Sequence, residues 1–226
     1  PSDEPESAEI HITVPKPLSV ASNGNLQSIK EHKNKWTTWH WSTKYSINPY
    51  NINFTVGHFE LIERIVPSLG KPLRVQFYVL KENLEGAQKL LDQVEIFVEF
   101  FTRNFGQFPW IEEKLGLVNT PYFGMEHQTM IAYGNDYKKN EKGYDFLLFH
   151  EMAHEWWGNY LSVSDWSDFW INEGFAVYCE ALYIEEKYGS EEYNAFFTKN
   201  ISKKIPQSKP VVLERNATMS QVFGLD

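Results

Sequence analysis

His150-Glu151-Met152-Ala153-His154 decides how this chain is read. The residues around it carry a helical pattern that Gly158 ends, which predicts a helix over residues 144–157. Residues four apart on a helix share one face, one turn apart. Two imidazoles so placed can reach a single Zn²⁺, which binds histidine nitrogen at about 2.0–2.1 Å. Glu151 is one position on from His150 and does not join the ligands. It can stand beside the open fourth position and act as a base on water there. Two satisfied core histidines are the plainer alternative, and the motif on a capped helix is specific enough to disfavour it.

The third ligand sets the subclass. Cys179 is the only cysteine and has no spacing partner, so a thiolate is excluded. The offset at which some zinc peptidases carry a third histidine holds Tyr160. Glu173 comes after His154 with 18 intervening residues, inside Asn172-Glu173-Gly174-Phe175-Ala176 on the next predicted helix, 168–188, ended by Gly189. A loop between the helices can bring that carboxylate to the imidazoles as a His₂Glu site. Trp170, Ile171, Phe175, Ala176 and Val177 surround it with apolar side chains, which disfavours a merely solvated charge. A zinc-bound histidine usually gives its other N–H to a carboxylate or carbonyl. Glu180, two turns beyond Glu173 on the same face, is the first candidate for that role and Asn172 the next. Ordinary helix polarity is the alternative for both.

Upstream, Leu84, Ala87, Leu90, Leu91, Val94, Phe97, Val98 and Phe101 recur at i, i+3, i+4, i+7 and predict a helix stopped at Gly106. Residues 117–133 read as short extended segments, and a further helical piece is expected near Glu191. The N-terminal part reads as strands over residues 10–14, 18–22, 37–42 and 53–56, with a turn at Asn23-Gly24. Pro67-Ser68-Leu69-Gly70-Lys71-Pro72 reads as a linker, with one more strand after it over 73–80. The expected division is residues 1–66, part of an antiparallel β domain, and residues 67–226, the domain with the histidine motif.

The 226 residues hold 21 Lys plus Arg against 30 Asp plus Glu, a formal charge of -9. A nucleic-acid partner needs a basic surface and is not expected. No apolar run approaches the length of a membrane span. Aromatics reach 16%, which favours a packed interior or an aromatic-lined pocket. One cysteine leaves the compartment unknown. The chain begins at Pro1 and reads as an excised piece of a longer protein.

His150 to Asn159, HEMAHEWWGN, with Trp170-Ile-Asn-Glu-Gly-Phe-Ala176 after it, resembles the aminopeptidase N and leukotriene hydrolase family of gluzincin zinc peptidases. The resemblance covers about residues 105–190, and Thr13-Val14-Pro15 with Ser22-Asn23-Gly24 looks like the end of that family's β domain. Gly124-Met125-Glu126-His127 is similar to the family's G-x-M-E-N segment, with Phe123 where the family has Gly and His127 where it has Asn. The resemblance implies an α+β, thermolysin-like catalytic domain holding one Zn²⁺ through His150, His154 and Glu173, with Glu151 as general base. It implies that Gly124, Met125 and Glu126 bind substrate, with the Glu126 carboxylate on the free α-amino group. The implied partners are peptides with a free N-terminus and the rest of the parent chain, its β domain and a helical C-terminal domain. The family's oxyanion-stabilising tyrosine would fall beyond Asp226, so this piece alone is expected to turn over weakly or not at all. The alternatives are a gluzincin endopeptidase, an epoxide hydrolase, or a non-catalytic zinc- or peptide-binding module.

Overall fold

A computed structural model describes residues 3–201 and 215–223 of the chain. It opens with β1 (Ala8–Pro15), β2 (Ser19–Ser22), β3 (Asn25–Glu31) and β4 (Trp36–Thr43). β4 lies between β1 and β3 in an antiparallel sheet. Along β1 the side chains alternate, with Ile10 and Val14 buried and Glu9, His11 and Thr13 exposed. β2 leaves that sheet and pairs with β5 (Phe54–Gly57).

The Asn23-Gly24 turn is therefore a corner where the chain changes sheets, not a hairpin between neighbours. The Asn23 amide donates to the carbonyls of Asn51 at 3.0 Å and Gln128 at 2.5 Å, and its Oδ1 accepts from the Asn53 N–H at 2.7 Å. Gly24 has φ +68°, and a Cβ there would stand 2.1 Å from the Ser42 carbonyl oxygen. Only glycine fits this left-handed, crowded position.

The stretch read as a linker is also a turn. β6 (Phe59–Ser68) and β7 (Lys71–Leu80) form a ten-pair hairpin from Phe59↔Leu80 to Ser68↔Lys71. Leu69 and Gly70 both have positive φ, the two-residue turn that suits strand twist. Pro67 is tolerated because β6 is an edge strand. The expected break after residue 66 thus falls inside β6.

Behind the hairpin come α1 (Leu84–Phe105), β8 (Leu115–Asn119), β9 (Gly124–Met125) and β10 (Ile131–Tyr133). They complete a five-stranded mixed sheet in the order β6-β7-β8-β10-β9, with β7, β8 and β10 parallel. The helices α2 (Phe146–Ala153), α3 (Trp170–Tyr188), α4 (Ser190–Phe196) and α5 (Met219–Phe223) come next. The fold is α+β, strands beside helices, as expected. No helix among the described residues is long and apolar enough to cross a membrane.

The aromatic residues make the core. Phe97 and Phe101 of α1, Phe149 of α2 and Tyr183 of α3 are buried together, with Phe97 edge-on to Phe149 at 5.0 Å and to Tyr183 at 5.6 Å. Phe101 stacks on Trp156 at 5.2 Å. Truncating one such ring to alanine typically costs about 3–5 kcal/mol. Three helices are thereby locked to one another through four side chains.

Lys114 fastens the two halves. It is fully buried just before β8, and its Nζ donates to the carbonyls of Ser22, at 3.0 Å, and Gly24. It also lies 4.9 Å over the Trp41 ring. Burial pushes its pKa down to about 7, against about 10.4 in an unfolded chain. Between those values the unfolded chain holds a proton that the fold does not, so stability rises with pH across the window. Relative to Lys114→Met, the protein should gain about 2–3 kcal/mol between pH of about 7.5 and 9.5 in urea unfolding. Parallel pH curves for the two proteins would refute the buried neutral amine.

Candidate metal centre

Two helices and one edge strand meet at this site. α2 begins at Asp145, whose buried carboxylate accepts from the Leu148 N–H at 3.0 Å and from the Tyr133 hydroxyl of β10. That cap ties the helix to the sheet as well as satisfying its first turn. α2 ends at Ala153, four residues short of the expected Trp157, and His154 is its C-cap. The last turn tightens, with Glu155 N–H on Met152 O and Trp156 N–H on Ala153 O. His154 keeps helical dihedrals, so the i, i+4 relation to His150 survives the early stop.

The two ring Nε2 atoms stand 3.2 Å apart, with ring planes at 84°. Glu173, in the first turn of α3, brings Oε2 to 3.3 Å from His150 Nε2 and Oε1 to 3.7 Å from His154 Nε2. Two ligands at about 2.0–2.1 Å from a tetrahedral ion lie about 3.3 Å from each other. The observed spacings of 3.2–3.7 Å lie close to that value, with one Glu173 oxygen facing each imidazole, so the donor set fits zinc. His154 Nδ1 sits 3.0 Å from the Trp157 carbonyl oxygen, which can only accept, so Nδ1 carries the hydrogen and Nε2 turns its lone pair inward. Burial raises the Glu173 pKa, but its hydrogen bond with His150 and the nearness of the His154 and His150 rings outweigh it and hold the carboxyl below the usual range.

Glu151 faces the same space from the other side. It is buried, and its Oε2 has no hydrogen-bond partner among the described residues. Burial, then the charges of Glu126 and Glu173, push its pKa well up. An orphaned buried carboxylate oxygen is costly unless something else occupies the space before it. β9 runs directly past it: a Cβ on Gly124 would lie 2.6 Å from Glu151 Oε1 and 2.7 Å from Leu147 Cδ1. A side chain here would have to displace the Glu151 carboxylate and the Leu147 methyl groups, so glycine serves close approach rather than its dihedrals.

Glu126 lies just after β9 and is 5% exposed. Its Oε1 accepts from the Tyr50 hydroxyl at 3.2 Å, and its carbonyl accepts from the Asn159 amide at 2.9 Å. One ligand atom from each of Glu126, Glu151 and His154 lies within 4.8 Å of the others. Glu180 lies near enough to feel the His150 charge, and its Oε1 accepts from Tyr144 at 2.7 Å. Asn172 is buried, with neither side-chain polar atom bonded among the described residues. The bond to His154 comes from the Trp157 backbone instead of either of them.

Three residues to which the sequence reading gives no role hold the surroundings of the site together. Asn159 Oδ1 accepts from the Asn51 amide at 2.6 Å, while its Nδ2 donates to the Glu126 carbonyl and to Glu155 Oε2 at 3.1 Å. Tyr50 and Asn51 sit in a 3₁₀ turn, Pro49–Asn51, seventy-odd positions before Glu126. The Tyr50 ring packs edge-on against Trp166 at 5.4 Å and Phe169 at 6.1 Å. Asn159 closes the HEMAHEWWGN stretch and is within reach of a motif reading; the 3₁₀ turn carries no comparable signal. Asn159→Ala would strand the buried Asn51 amide and the Glu126 carbonyl. It should cost about 1–3 kcal/mol in urea unfolding, and a loss below about 0.5 kcal/mol would remove Asn159 from this role.

Residues 91–224 match the Peptidase family M1 domain. The chain is 31% identical over 199 residues to a glutamyl aminopeptidase of Homo sapiens, covering 80% of this chain and 20% of that protein. It is 25% identical over 205 residues to an endoplasmic reticulum aminopeptidase 1 of Mus musculus, covering 81% and 21%. A crystal structure of an M1 zinc metallopeptidase mutant from Deinococcus radiodurans, bound to a Tyr-Ser-Ala substrate, superposes with a TM-score of 0.75 at 20% identity, covering 99% of this chain and 49% of that one. The chain thus spans about a fifth of the length of these curated relatives.

Proposed function

The chain belongs to peptidase family M1, and on that premise we propose that it carries the zinc site and catalytic base of an aminopeptidase acting on peptides with a free N-terminus. The observation that carries this reading is the convergence of His150 Nε2, His154 Nε2 and the two Glu173 carboxylate oxygens, at spacings of 3.2, 3.3 and 3.7 Å, beside Glu151 Oε2, which has no partner among the described residues. His150, His154 and Glu173 would hold one zinc per chain. When bound, zinc supplies Lewis-acid polarisation of a peptide carbonyl and a more acidic water.

The chain's own residues do the rest. Glu151 takes the proton of the attacking water at its free oxygen and hands it to the leaving amine. Its pKa, raised by burial, suits a group that must hold a proton between those events. The free edge of β9 at Gly124 and Met125 pairs with the substrate backbone, as an added strand does. Glu126, fixed by Tyr50 and Asn159, accepts the substrate ammonium. Glu180 would support His150, and Asn172, buried with its side-chain polar atoms unbonded among the described residues, would be the next such group. The division into a β remnant and a thermolysin-like catalytic domain belongs to the same reading, with its boundary moved from residue 66 to before Phe59, because β6 pairs along its length with β7.

Elemental analysis of chelator-free, dialysed protein should find close to one zinc per chain, lost in His154→Ala. Zinc unchanged by that substitution would end the ligand assignment. In the full-length protein, Glu151→Gln should lower kcat by about 10²–10⁴ on amino-acid anilides with zinc retained. Glu126→Gln should cost about 30-fold to several thousand-fold in kcat/KM on free-amine peptides and little on N-acetylated ones. Equal losses on both substrates would turn Glu126 into a structural residue, and higher activity on blocked peptides in the unsubstituted protein would favour an endopeptidase.

A further inference from the structure

The outer face of the first sheet gathers metal-binding side chains that the centre above does not use. On β1 and β4 alternate residues point outward, which brings Glu9, His11 and Thr13 beside Thr38, His40 and Ser42. The register sets His11 opposite His40 and Glu9 opposite Ser42, so Glu9 is the diagonal neighbour of His40. The two imidazoles stack with centroids 4.0 Å apart and planes at 13°. Glu9 Oε2 accepts from His40 Nε2, and Glu9 Oε1 accepts from the Ser42 hydroxyl at 2.9 Å. One ligand atom from each of Glu9, His11 and His40 lies within 4.8 Å of the other two.

We propose that Glu9, His11 and His40 form a second metal site, which takes a borderline divalent ion, Zn²⁺, from solution. Two imidazoles and one carboxylate suit zinc, copper or nickel and do not suit magnesium or calcium, which take oxygen ligands. The ion replaces the proton that His40 now directs at Glu9, because a ligating imidazole must be neutral. His11 needs only to turn its ring. Its side chain is exposed, and the torsion that aims an imidazole is broad. Ser42 holds the carboxylate in place, the outer-shell support that metal sites usually carry. Three protein ligands leave a fourth position open to water, and the exposure of Glu9 and His11 lets the ion exchange with solvent. Once bound, it bridges neighbouring strands through side chains, in addition to the eight-pair ladder of β1 with β4. The sheet site shares no residue with the aminopeptidase centre and does not depend on that centre's function.

The test isolates the sheet site. In a His150→Ala/His154→Ala variant, calorimetric titration with ZnCl₂ should find one zinc per chain. Adding His11→Gln and His40→Gln should abolish it, and Ser42→Ala should weaken it by about 10–100-fold, the usual cost of losing an outer-shell partner. Should the double variant fail to fold, the unsubstituted chain equilibrated with zinc gives the same reading by elemental analysis: two zinc ions, falling to one in His40→Gln. No second zinc in the unsubstituted chain, or one that persists in both His11→Gln and His40→Gln, overturns the proposal and leaves Glu9 and His40 as a hydrogen-bonded pair only.

Discussion

One electrostatic demand shapes the frame around the helix pair: Glu126 and Glu151 are held close to His154, and Glu173 close to His150 and His154. The charges of Glu126 and Glu173 add to the cost of ionising Glu151, which already lies in a setting almost free of water. Left to itself such a cluster would spread apart. A divalent cation would offset the repulsion, but the side chains still need a frame stiff enough to hold their acceptor atoms inward.

The frame comes from two sources with different physics. The first is close packing of rings. Phe97, Phe101, Phe149 and Tyr183 interlock α1, α2 and α3, so the helices bearing His150 and Glu173 cannot slide independently. Trp157 and Phe175 stack at 4.6 Å across the same two segments, close to the site itself. The second is a buried polar network. Glu155 accepts from Trp110, Asn159 and the Thr129 N–H, and Asn159 joins it to Glu126 and Asn51. Apolar contact resists compression, whereas directional bonds fix orientation, and the site draws on both.

The same distinction separates the elements that are legible in the sequence from those that are not. A periodic apolar stripe announces a helix, so α1 is readable from Leu84 to its stop at Gly106. The histidine pair and Glu173 are readable because metal chemistry limits residue type and spacing together. The Asn23-Gly24 corner and the hairpin at Leu69-Gly70 escape the sequence reading, because turn residues say that the chain bends but not which distant strand it meets next. The end of α2 is placed too late because the stretch past Ala153 keeps its apolar character while the backbone tightens. The partner of His154 is a backbone carbonyl at Trp157, which any residue type would supply. Tyr50 and Asn51 act across more than seventy intervening positions, and nothing local distinguishes them from any other turn.

The length of β9 has its own consequence. It contributes only Gly124 and Met125 to the sheet, pairing with Tyr133 and Ala132, and then the chain leaves at Glu126. A guest strand on its open side would find a ladder with so few rungs that no internal stretch of polypeptide could be told from its neighbour by main-chain bonds. In the function proposed above, a short edge backed by the buried Glu126 carboxylate would act as a depth stop: it would measure how far a chain has entered and be indifferent to the length and sequence of the remainder.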